Sequence, residues 1–198
     1  MYLFFDLETN GLAKSMNAPP SQIENWPNIV QIAWSIFDCD GVEIKMVSSI
    51  IFPKDFTITK TSSSVHGITT EMAKKEGKSI DSILSLFNED IVDISLIVSH
   101  NLDFDLLTLN AEFLRNQMKT DLLNIKRYCT MKSPQVVDYC KIPNPFRPGY
   151  KWPSLSELHM KLFGSSFDNV HNASADVNAC ARCFFELKKR GVIIDRTV

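Results

Sequence analysis

Asp6 and Glu8 are two carboxylates near the start of the chain, separated by one residue and with no basic residue between them. They follow the apolar run from Tyr2 to Asp6, which predicts a short strand that ends at a glycine-containing turn. Side chains alternate along a strand, so both carboxylates are expected on the same side. Such a pair either binds a hard divalent cation, Mg²⁺ or Mn²⁺, or belongs to a strand face exposed to water. The spacing alone fits both interpretations.

Two further acids lie where predicted elements begin. Asp105 falls at a strand-to-helix junction, and Asp176 lies near the start of the last long helix. Strand ends and helix N-termini meet at one edge of a sheet-based fold, where functional sites are assembled. The carboxylates of the first strand, Asp105 and Asp176 are therefore expected to lie close together.

His171 precedes Asp176 by five residues, which corresponds to about 140° on a helix. The two side chains cannot share a helical face, so His171 is expected on the loop before the helix, reaching back. A histidine beside clustered carboxylates fits a general base. The alternative is an ordinary loop histidine with no catalytic role.

Three segments together resemble the motifs of the DEDDh (DnaQ-like) 3′–5′ exonucleases, the group that includes the proofreading epsilon subunit of bacterial DNA polymerase III. They are Asp-Leu-Glu-Thr at 6–9, His-Asn-Leu-Asp-Phe-Asp at 100–105 and His-Asn-Ala-Ser-Ala-Asp at 171–176. The resemblance runs from Phe4 to about Arg190. It implies an α/β, RNase H-like fold with a central mixed five-stranded sheet flanked by helices.

The resemblance also implies two divalent cations, Mg²⁺ or Mn²⁺, as cofactors. Asp6 would contact both, Glu8 and Asp176 would complete the first site, and Asp105 would hold the second. His171 would take a proton from the attacking water.

Asp103 competes with Asp105 for the third acidic position. Two residues on a helix lie about 200° apart, so only one of them can face the cations. The family pattern places the ligand after the phenylalanine, which selects Asp105. Asp103 is then interpreted as a helix N-cap.

Substrate contacts are implied for the turn after the first strand, with Leu12 against the terminal base and His66 near the same nucleotide. Leu12 could equally pack on the core, and His66 could cap a helix. The predicted substrate-binding residues are Thr9, Asn10, Gly11, Leu12, His66 and Asn101.

The stretch 147–152 mixes cations with aromatic residues and could bind a single strand by stacking and phosphate contact. The preferred interpretation is that Trp152 anchors this loop to the core. Trp26, in the proline-containing loop 13–28, has the same two interpretations.

The order of the remaining elements predicts an α/β sandwich with a mixed sheet, because strands come first and then alternate with helices. Apolar runs predict strands at 29–37, 42–52, 96–99 and 126–130, with a turn at 38–41. Helical patterns cover 103–118, 154–163 and 172–190, and Ser79 is the predicted N-cap of an earlier helix. Cys180 and Cys183 are spaced as Cys-x-x-Cys, but inside a helical pattern we interpret them as buried helix residues.

Composition bounds the protein class. A chain of 198 residues is most simply one domain, 1–198, and 44% hydrophobic with 22% charged residues is ordinary for a globular protein. A net charge of −2 argues against wholesale electrostatic binding of nucleic acid without excluding a local site. Five scattered cysteines do not suggest a disulfide framework. Without an apolar span or leader, the expectation is a cytoplasmic protein with no membrane partner.

The leading hypothesis is a metal-dependent exonuclease that releases 5′-mononucleotides from a 3′ end, with single-stranded DNA favoured as the partner. A polymerase or repair protein is a candidate further partner. The alternatives are an RNA-directed, oligoribonuclease-like enzyme, a catalytically silent nucleic-acid-binding module, and a metallophosphatase for small phosphate esters. The sequence leaves the choice between Mg²⁺ and Mn²⁺ and the oligomeric state open.

Overall fold

The structure is a computed structural model, and it describes residues 1–194. Within this range there are five strands: β1 (Tyr2–Thr9), β2 (Ile29–Phe37), β3 (Glu43–Ile50), β4 (Leu96–Ser99) and β5 (Lys126–Cys129). The same range contains seven α-helices: α1 (Lys60–His66), α2 (Thr70–Glu76), α3 (Ile80–Asp90), α4 (Leu102–Arg115), α5 (Pro134–Cys140), α6 (Leu155–Phe163) and α7 (Ala173–Lys189). No helix in this range is long and apolar enough to cross a membrane.

The strands form one mixed sheet in the order β3-β2-β1-β4-β5. β1 and β2 pair antiparallel, as do β2 and β3, whereas β1 pairs parallel with β4 and β4 pairs parallel with β5. The carboxyl ends of β1, β4 and β5 therefore lie along one edge of the sheet. The predicted mixed five-stranded sheet is confirmed. β1 continues past the predicted end at Asp6 because Glu8 pairs with Gln31 of β2.

The two faces of β1 belong to separate cores. Its odd-numbered apolar side chains join the core beneath α3 and α4, and its even-numbered ones join the core beneath α6 and α7. Phe4, for example, packs edge-on against Phe184 of α7, with ring centroids 5.4 Å apart. Asp6 and Glu8 continue the even-numbered series, so both lie on the α7 side of the sheet.

The loop before β2 is held to α4 by an arginine. The Arg115 guanidinium donates hydrogen bonds to the carbonyl oxygens of Ile23 (2.9 Å) and Trp26 (3.0 Å), and it pairs with the buried carboxylate of Glu112. Trp26 is buried, and its indole N–H donates to the Pro19 carbonyl at 3.2 Å. Trp26 is therefore an anchor of this loop and not a stacking surface.

The loop before α6 shows the opposite arrangement, and the prediction that Trp152 anchors it was wrong. Trp152 is 54% exposed, and the Lys132 ammonium lies 5.2 Å from the centre of its ring. The loop is instead anchored through its backbone, because the Nε2 atom of His100 lies 3.0 Å from the Pro153 carbonyl oxygen.

Asp103 is not the N-cap of α4, so that prediction was also wrong. The N-cap is Asn101, with φ 75° and ψ 37°. Asparagine tolerates this left-handed conformation better than most residues, and α4 begins at Leu102, one position before the predicted start. The Asp103 carboxylate is exposed and pairs with Lys132 at 2.6 Å.

Cys180 and Cys183 are both buried free thiols in α7, as predicted. Burial raises the pKa of Cys183 to about 12. The predicted strands at 29–37 and 96–99 coincide with β2 and β4, and the predicted helices at 154–163 and 172–190 match α6 and α7 within one residue at each end.

Candidate active site

A cleft of about 860 Å³ opens at the carboxyl ends of β1 and β4. All of the predicted site residues border it, namely Asp6, Glu8, Thr9, Asn10, Gly11, Leu12, His66, Asn101, Asp105, His171 and Asp176. A larger cavity of about 1070 Å³ is lined by Ile91, Leu114 and Met118, and none of the predicted site residues borders it. The fold thus brings the predicted residues together, while their individual roles stay predictions.

The carboxylates of β1 lie deep in this cleft. Burial raises the pKa of Glu8 to about 8, with a further contribution from the Asp176 charge. Burial also raises the pKa of Asp6 well above its usual range, and the charges of Asp105, Asp176 and Glu8 add to that shift. Raised pKa values of this kind are expected where carboxylates crowd together without a compensating positive charge.

Asp105 is fixed by the end of β4. Its Oδ2 atom accepts a hydrogen bond from the Ser99 hydroxyl at 3.0 Å, and the residue is only 4% exposed. Burial raises the pKa of Asp105 well above its usual range, although the Ser99 hydroxyl lowers it. Asp103 points to solvent instead, as expected for two acids about 200° apart on one helix.

Asp176 is positioned by the first turn of α7. The Asn172 side chain caps this helix by accepting hydrogen bonds from the N–H groups of Ser174 and Ala175. The Oδ2 atom of Asp176 accepts a hydrogen bond from the backbone N–H of His171 at 2.9 Å. Burial raises the pKa of Asp176 to about 6, against the lowering effect of the His171 N–H and side chain.

His171 lies on the loop before α7, as predicted, with an exposed side chain and a left-handed φ of 66°. Glu8, His171 and Asp176 each offer one ligand atom, and these three atoms lie within 4.8 Å of one another. Carboxylate oxygens suit Mg²⁺ and Mn²⁺, and imidazole suits Zn²⁺ among others. The donor set therefore fits a divalent cation.

The turn after β1 forms one lip of the cleft. The Thr9 hydroxyl donates a hydrogen bond to the Gly11 carbonyl at 2.7 Å, and the Asn10 side chain accepts one from the Asn28 N–H at 2.9 Å. Leu12 is 84% exposed. It does not pack on the core, so the second of its two interpretations is wrong.

His66, the last residue of α1, also borders the cleft. Its Nδ1 atom accepts a hydrogen bond from the backbone N–H of Ile68 at 3.1 Å, so a local structural role coexists with its place in the cleft. Burial lowers the pKa of His66, the Thr9 carbonyl raises it, and the charge of His171 lowers it further. Both histidines border the same cleft.

His100 is a cleft residue whose role was not predicted. Its Nδ1 atom lies 2.9 Å from the Thr130 hydroxyl and its Nε2 atom 3.0 Å from the Pro153 carbonyl. Because a carbonyl oxygen only accepts, Nε2 carries the proton and Nδ1 accepts from the hydroxyl. Burial lowers the pKa of His100 to about 4, so the ring is neutral. It ties the end of β4 to the chain that enters α6.

Gln31 is a second residue that sequence reasoning missed. It is 6% exposed on β2, opposite Glu8, and its Oε1 atom accepts a hydrogen bond from the Ala173 N–H at 3.3 Å. This bond fixes the first turn of α7, and with it Asp176, against β2 at the position opposite Glu8. The signal in the sequence is one amide side chain within the largely apolar strand 29–37.

The fold is of the RNase H-like type, with an acidic cleft at the carboxyl ends of β1 and β4. The chain matches the RNase_T exonuclease family over residues 3–184 and therefore belongs to this family, which confirms the predicted DnaQ-like membership.

Two curated relatives are DNA polymerases III of the PolC type. The Latilactobacillus sakei protein is 27% identical over 191 residues, which cover 95% of this chain and 11% of the relative. The Streptococcus thermophilus protein is 27% identical over 184 residues, which cover 93% of this chain and 11% of the relative. The chain thus spans about a tenth of the length of the curated relatives that it matches.

Solved exonuclease I structures share the fold. E. coli exonuclease I in complex with a dT13 oligonucleotide aligns with a TM-score of 0.76 at 20% identity, over 96% of this chain and 41% of that one. The zinc-bound E. coli exonuclease I–ssDNA complex aligns with a TM-score of 0.73 at 22% identity, over 96% and 40%. Exonuclease I from Methylocaldum szegediense aligns with a TM-score of 0.75 at 17% identity, over 96% and 40%.

Proposed function

We propose that residues 1–198 form a single divalent-metal-dependent exonuclease domain that hydrolyses single-stranded DNA from its 3′ end and releases 5′-mononucleotides. The observation that carries the proposal is the meeting of four acids from three distant parts of the chain at one cleft of an exonuclease-family fold, namely Asp6, Glu8, Asp105 and Asp176.

The donor set fits two divalent cations, Mg²⁺ or Mn²⁺. Asp6, Glu8 and Asp176 would hold one, and Asp105 together with Asp6 would hold the other. Hard carboxylate oxygens are the ligands these ions prefer. The positive charge of the ions would favour the ionised form of Asp6, whose pKa is raised by burial and by the neighbouring carboxylates. When bound, such cations activate water and stabilise the charge that develops on the phosphoryl oxygens.

His171 is the proposed general base. Its exposed ring is carried on a loop that Asp176 holds only through the backbone N–H, so the imidazole can accept a proton from a water in the cleft and return it to solvent. A general base typically contributes about 10²–10⁴-fold to the rate. The same ring lies within ligand distance of Glu8 and Asp176, so the experiment must separate the two roles.

DNA is the proposed polymer because two curated relatives are DNA polymerases III and several structural neighbours were solved with DNA oligonucleotides. A cleft of about 860 Å³ is of the size that takes a small ligand such as a nucleotide. A polymerase or repair protein is the proposed further partner. A cytoplasmic location stays a prediction from the sequence.

The test uses two 5′-labelled single strands of one sequence, DNA and RNA, with Mg²⁺ or Mn²⁺. Each is incubated with wild type and with Asp176→Asn, which keeps an oxygen to accept the His171 N–H but removes the charge. The expected result is a metal-dependent ladder that shortens the DNA strand from its 3′ end and is absent in the variant and with chelator.

Faster cleavage of the RNA strand would assign the activity to an exoribonuclease. Cleavage of a mononucleotide ester without polymer cleavage would indicate a phosphatase. No cleavage of any substrate, with strand binding intact, would indicate a silent binding module and overturn the proposal.

A further inference from the structure

The connection from α5 to α6 is a small hairpin, residues 141–153, which we call the aromatic hairpin. Pro143 and Tyr150 form an antiparallel bridge, and the Lys151 N–H donates a hydrogen bond to the Ile142 carbonyl at 2.9 Å. The segment therefore has a defined backbone that can present side chains in fixed directions.

This hairpin exposes three aromatic side chains. Phe146 is 94% exposed, Trp152 54% and Tyr150 45%. Exposed apolar side chains that cluster in one place mark interaction surfaces more often than scattered ones do. The rings contribute little to the core, so packing does not account for three aromatic residues within seven positions.

The hairpin continues the wall of the cleft. Ser154, Leu155 and Ser156 border the cleft directly after it, and the Nε2 atom of His100 holds the Pro153 carbonyl at the junction. On the other side of the junction, Lys132 lies over the Trp152 ring and directly follows Met131, which also borders the cleft. A strand whose 3′ end lies among the acids can therefore leave the cleft over the Trp152 ring.

Three cationic side chains lie beside the rings, and two of them form ion pairs. Lys151 pairs with Glu157, and Lys132 pairs with Asp103. Arg147, at the tip, has no ion pair or side-chain hydrogen bond within residues 1–194. The net charge of the chain is −2, so this positive charge is a local feature of the hairpin. An unpaired guanidinium beside exposed rings suits a polyanion and does not suit an apolar protein segment.

We propose that the aromatic hairpin is a binding surface for the nucleotides upstream of the 3′ end of a single-stranded substrate. Bases stack on Trp152, Tyr150 and Phe146, and Arg147 contacts a phosphate. Stacking of this kind tolerates any base sequence, because every base has a π face. The inference rests on the proposed function for the position of the 3′ end.

The arrangement predicts a dependence on strand length. A dinucleotide fills the cleft without reaching the hairpin, whereas a ten-nucleotide strand covers both. The hairpin should therefore contribute to the binding of the longer strand only.

The test measures binding of a 5′-fluorescent ten-nucleotide oligothymidylate and of a dinucleotide by anisotropy, with every protein carrying Asp176→Asn to prevent hydrolysis. Trp152→Ala is compared with the conservative Trp152→Phe and with Phe52→Ala. Phe52 is an exposed aromatic control, 42% exposed and outside the cleft lining. Trp152→Ala should raise the Kd for the longer strand about tenfold, within the range for one lost stacking contact. Trp152→Phe and Phe52→Ala should leave the Kd for the longer strand nearly unchanged. The Kd for the dinucleotide should change little in any variant.

Arg147→Gln gives an independent readout. It should reduce the slope of log Kd against log salt by about 0.7, the value for one phosphate contact on a single strand. Unchanged binding of the ten-nucleotide strand by Trp152→Ala and Phe146→Ala would overturn the proposal and point to a protein partner for the hairpin.

Hydrolysis by the protein without Asp176→Asn separates this inference from the proposed function. If the wild type cleaves nothing but the hairpin variants still lose long-strand binding, the hairpin surface stands and the exonuclease function falls. If the wild type cleaves the strand and the hairpin variants bind and cleave it equally well, the function stands and the hairpin surface falls.

Discussion

The backbone N–H of His171 donates a hydrogen bond to the Oδ2 atom of Asp176 over 2.9 Å, so the proposed general base and a proposed metal ligand are joined through the main chain. The imidazole takes no part in this bond. His171 has a φ of 66°, a conformation that glycine adopts without steric cost. The architecture of the loop and the chemistry of the ring can therefore be separated by mutation.

His171→Gly removes the imidazole and keeps both the N–H donor and the left-handed backbone. We expect a rate of strand hydrolysis lowered by roughly 10²–10⁴, as for a lost general base, with a thermal midpoint close to that of wild type. His171→Ala should lower the rate by the same factor and be less stable than His171→Gly, because only the alanine bears the steric cost of the left-handed conformation, about 1–2 kcal/mol.

Calorimetric titration with Mg²⁺ or Mn²⁺ decides what the ring does. Unchanged cation affinity in both His171 variants, with a low kcat, agrees with a general base. A clear loss of cation affinity in both would make His171 a ligand and contradict the proposed role.

Asp105 and Asp103 form a matched pair on α4. Asp105 is 4% exposed and bonded to Ser99 in the cleft, whereas Asp103 is exposed and paired with Lys132. Asp105→Asn should lower the rate of hydrolysis by about 10²-fold or more. Mutation of a residue that only hydrogen-bonds to a metal ligand already lowers metal affinity or activity by up to about 100-fold. Asp103→Asn should cleave near the wild-type rate, because an exposed ion pair contributes only about 0–1 kcal/mol. The rates of both variants on one labelled strand decide the assignment, and an Asp103→Asn enzyme as slow as Asp105→Asn would reject it.

The elements that carry the acids could be predicted because each has a strong local pattern. β1 is an apolar run up to Asp6, and α7 is a long helix with one apolar face, so the local pattern located both. The short helices α1, α2 and α5 were not assigned. α1 buries none of its residues and so has no apolar stripe; its ends are set by a hydrogen bond to the Thr59 side chain and by the left-handed Gly67.

The contacts that orient the site could not be predicted, because they join residues far apart in the sequence. Gln31 accepts a hydrogen bond from Ala173, 142 positions away in the sequence. His100 forms a hydrogen bond with the carbonyl of Pro153, 53 positions away. Spacing within a motif carries no information about such partners. The two tryptophans show the same limit, since Arg115 draws the loop of Trp26 into the core while the loop of Trp152 is held by its backbone.

Glu8 contributes to the pH dependence of stability in the metal-free protein, in the same direction as Asp6 and Asp105, whose pKa values burial also raises. Its pKa is raised from 4.5 to about 8, so between these values the folded chain holds a proton that the unfolded chain has lost. The free energy of unfolding therefore falls as pH rises through this window. Burial lowers the pKa of His100 from 6.5 to about 4, which acts in the opposite direction below its unfolded pKa. The net fall is expected to be clearest between about pH 6.5 and 8.

Urea denaturation with chelator at several pH values in this window measures the effect. Wild type should lose stability as pH rises, and Glu8→Gln should lose less, because its side chain does not titrate. Saturating Mg²⁺ should remove the loss, since a bound cation favours the ionised carboxylate. Equal pH slopes for wild type and Glu8→Gln in chelator would mean that Glu8 is not the titrating group.

His100 should position the aromatic hairpin through the Pro153 carbonyl. In His100→Leu the Thr130 hydroxyl can turn to the Ser99 carbonyl, 3.3 Å away, but the buried Pro153 carbonyl loses its side-chain donor. An unpaired buried acceptor costs about 1–3 kcal/mol, which corresponds to a fall of about 2–4 °C in Tm for each kcal/mol in a chain of this size. His100→Gln carries an amide N–H that can replace Nε2 and should recover part of the loss.

The same variants report on the strand path, because a displaced hairpin should raise KM for a ten-nucleotide strand and leave the kinetics of a dinucleotide unchanged. We expect His100→Leu to show this split and His100→Gln to reduce it. A purely structural role would lower Tm and reduce the activity on both substrates in parallel. That parallel loss, or an unchanged KM for the long strand despite the lower Tm, would disconnect His100 from the hairpin. A raised KM for the long strand alone would instead show that the end of β4, where Asp105 is held, positions the surface over which the strand leaves the cleft.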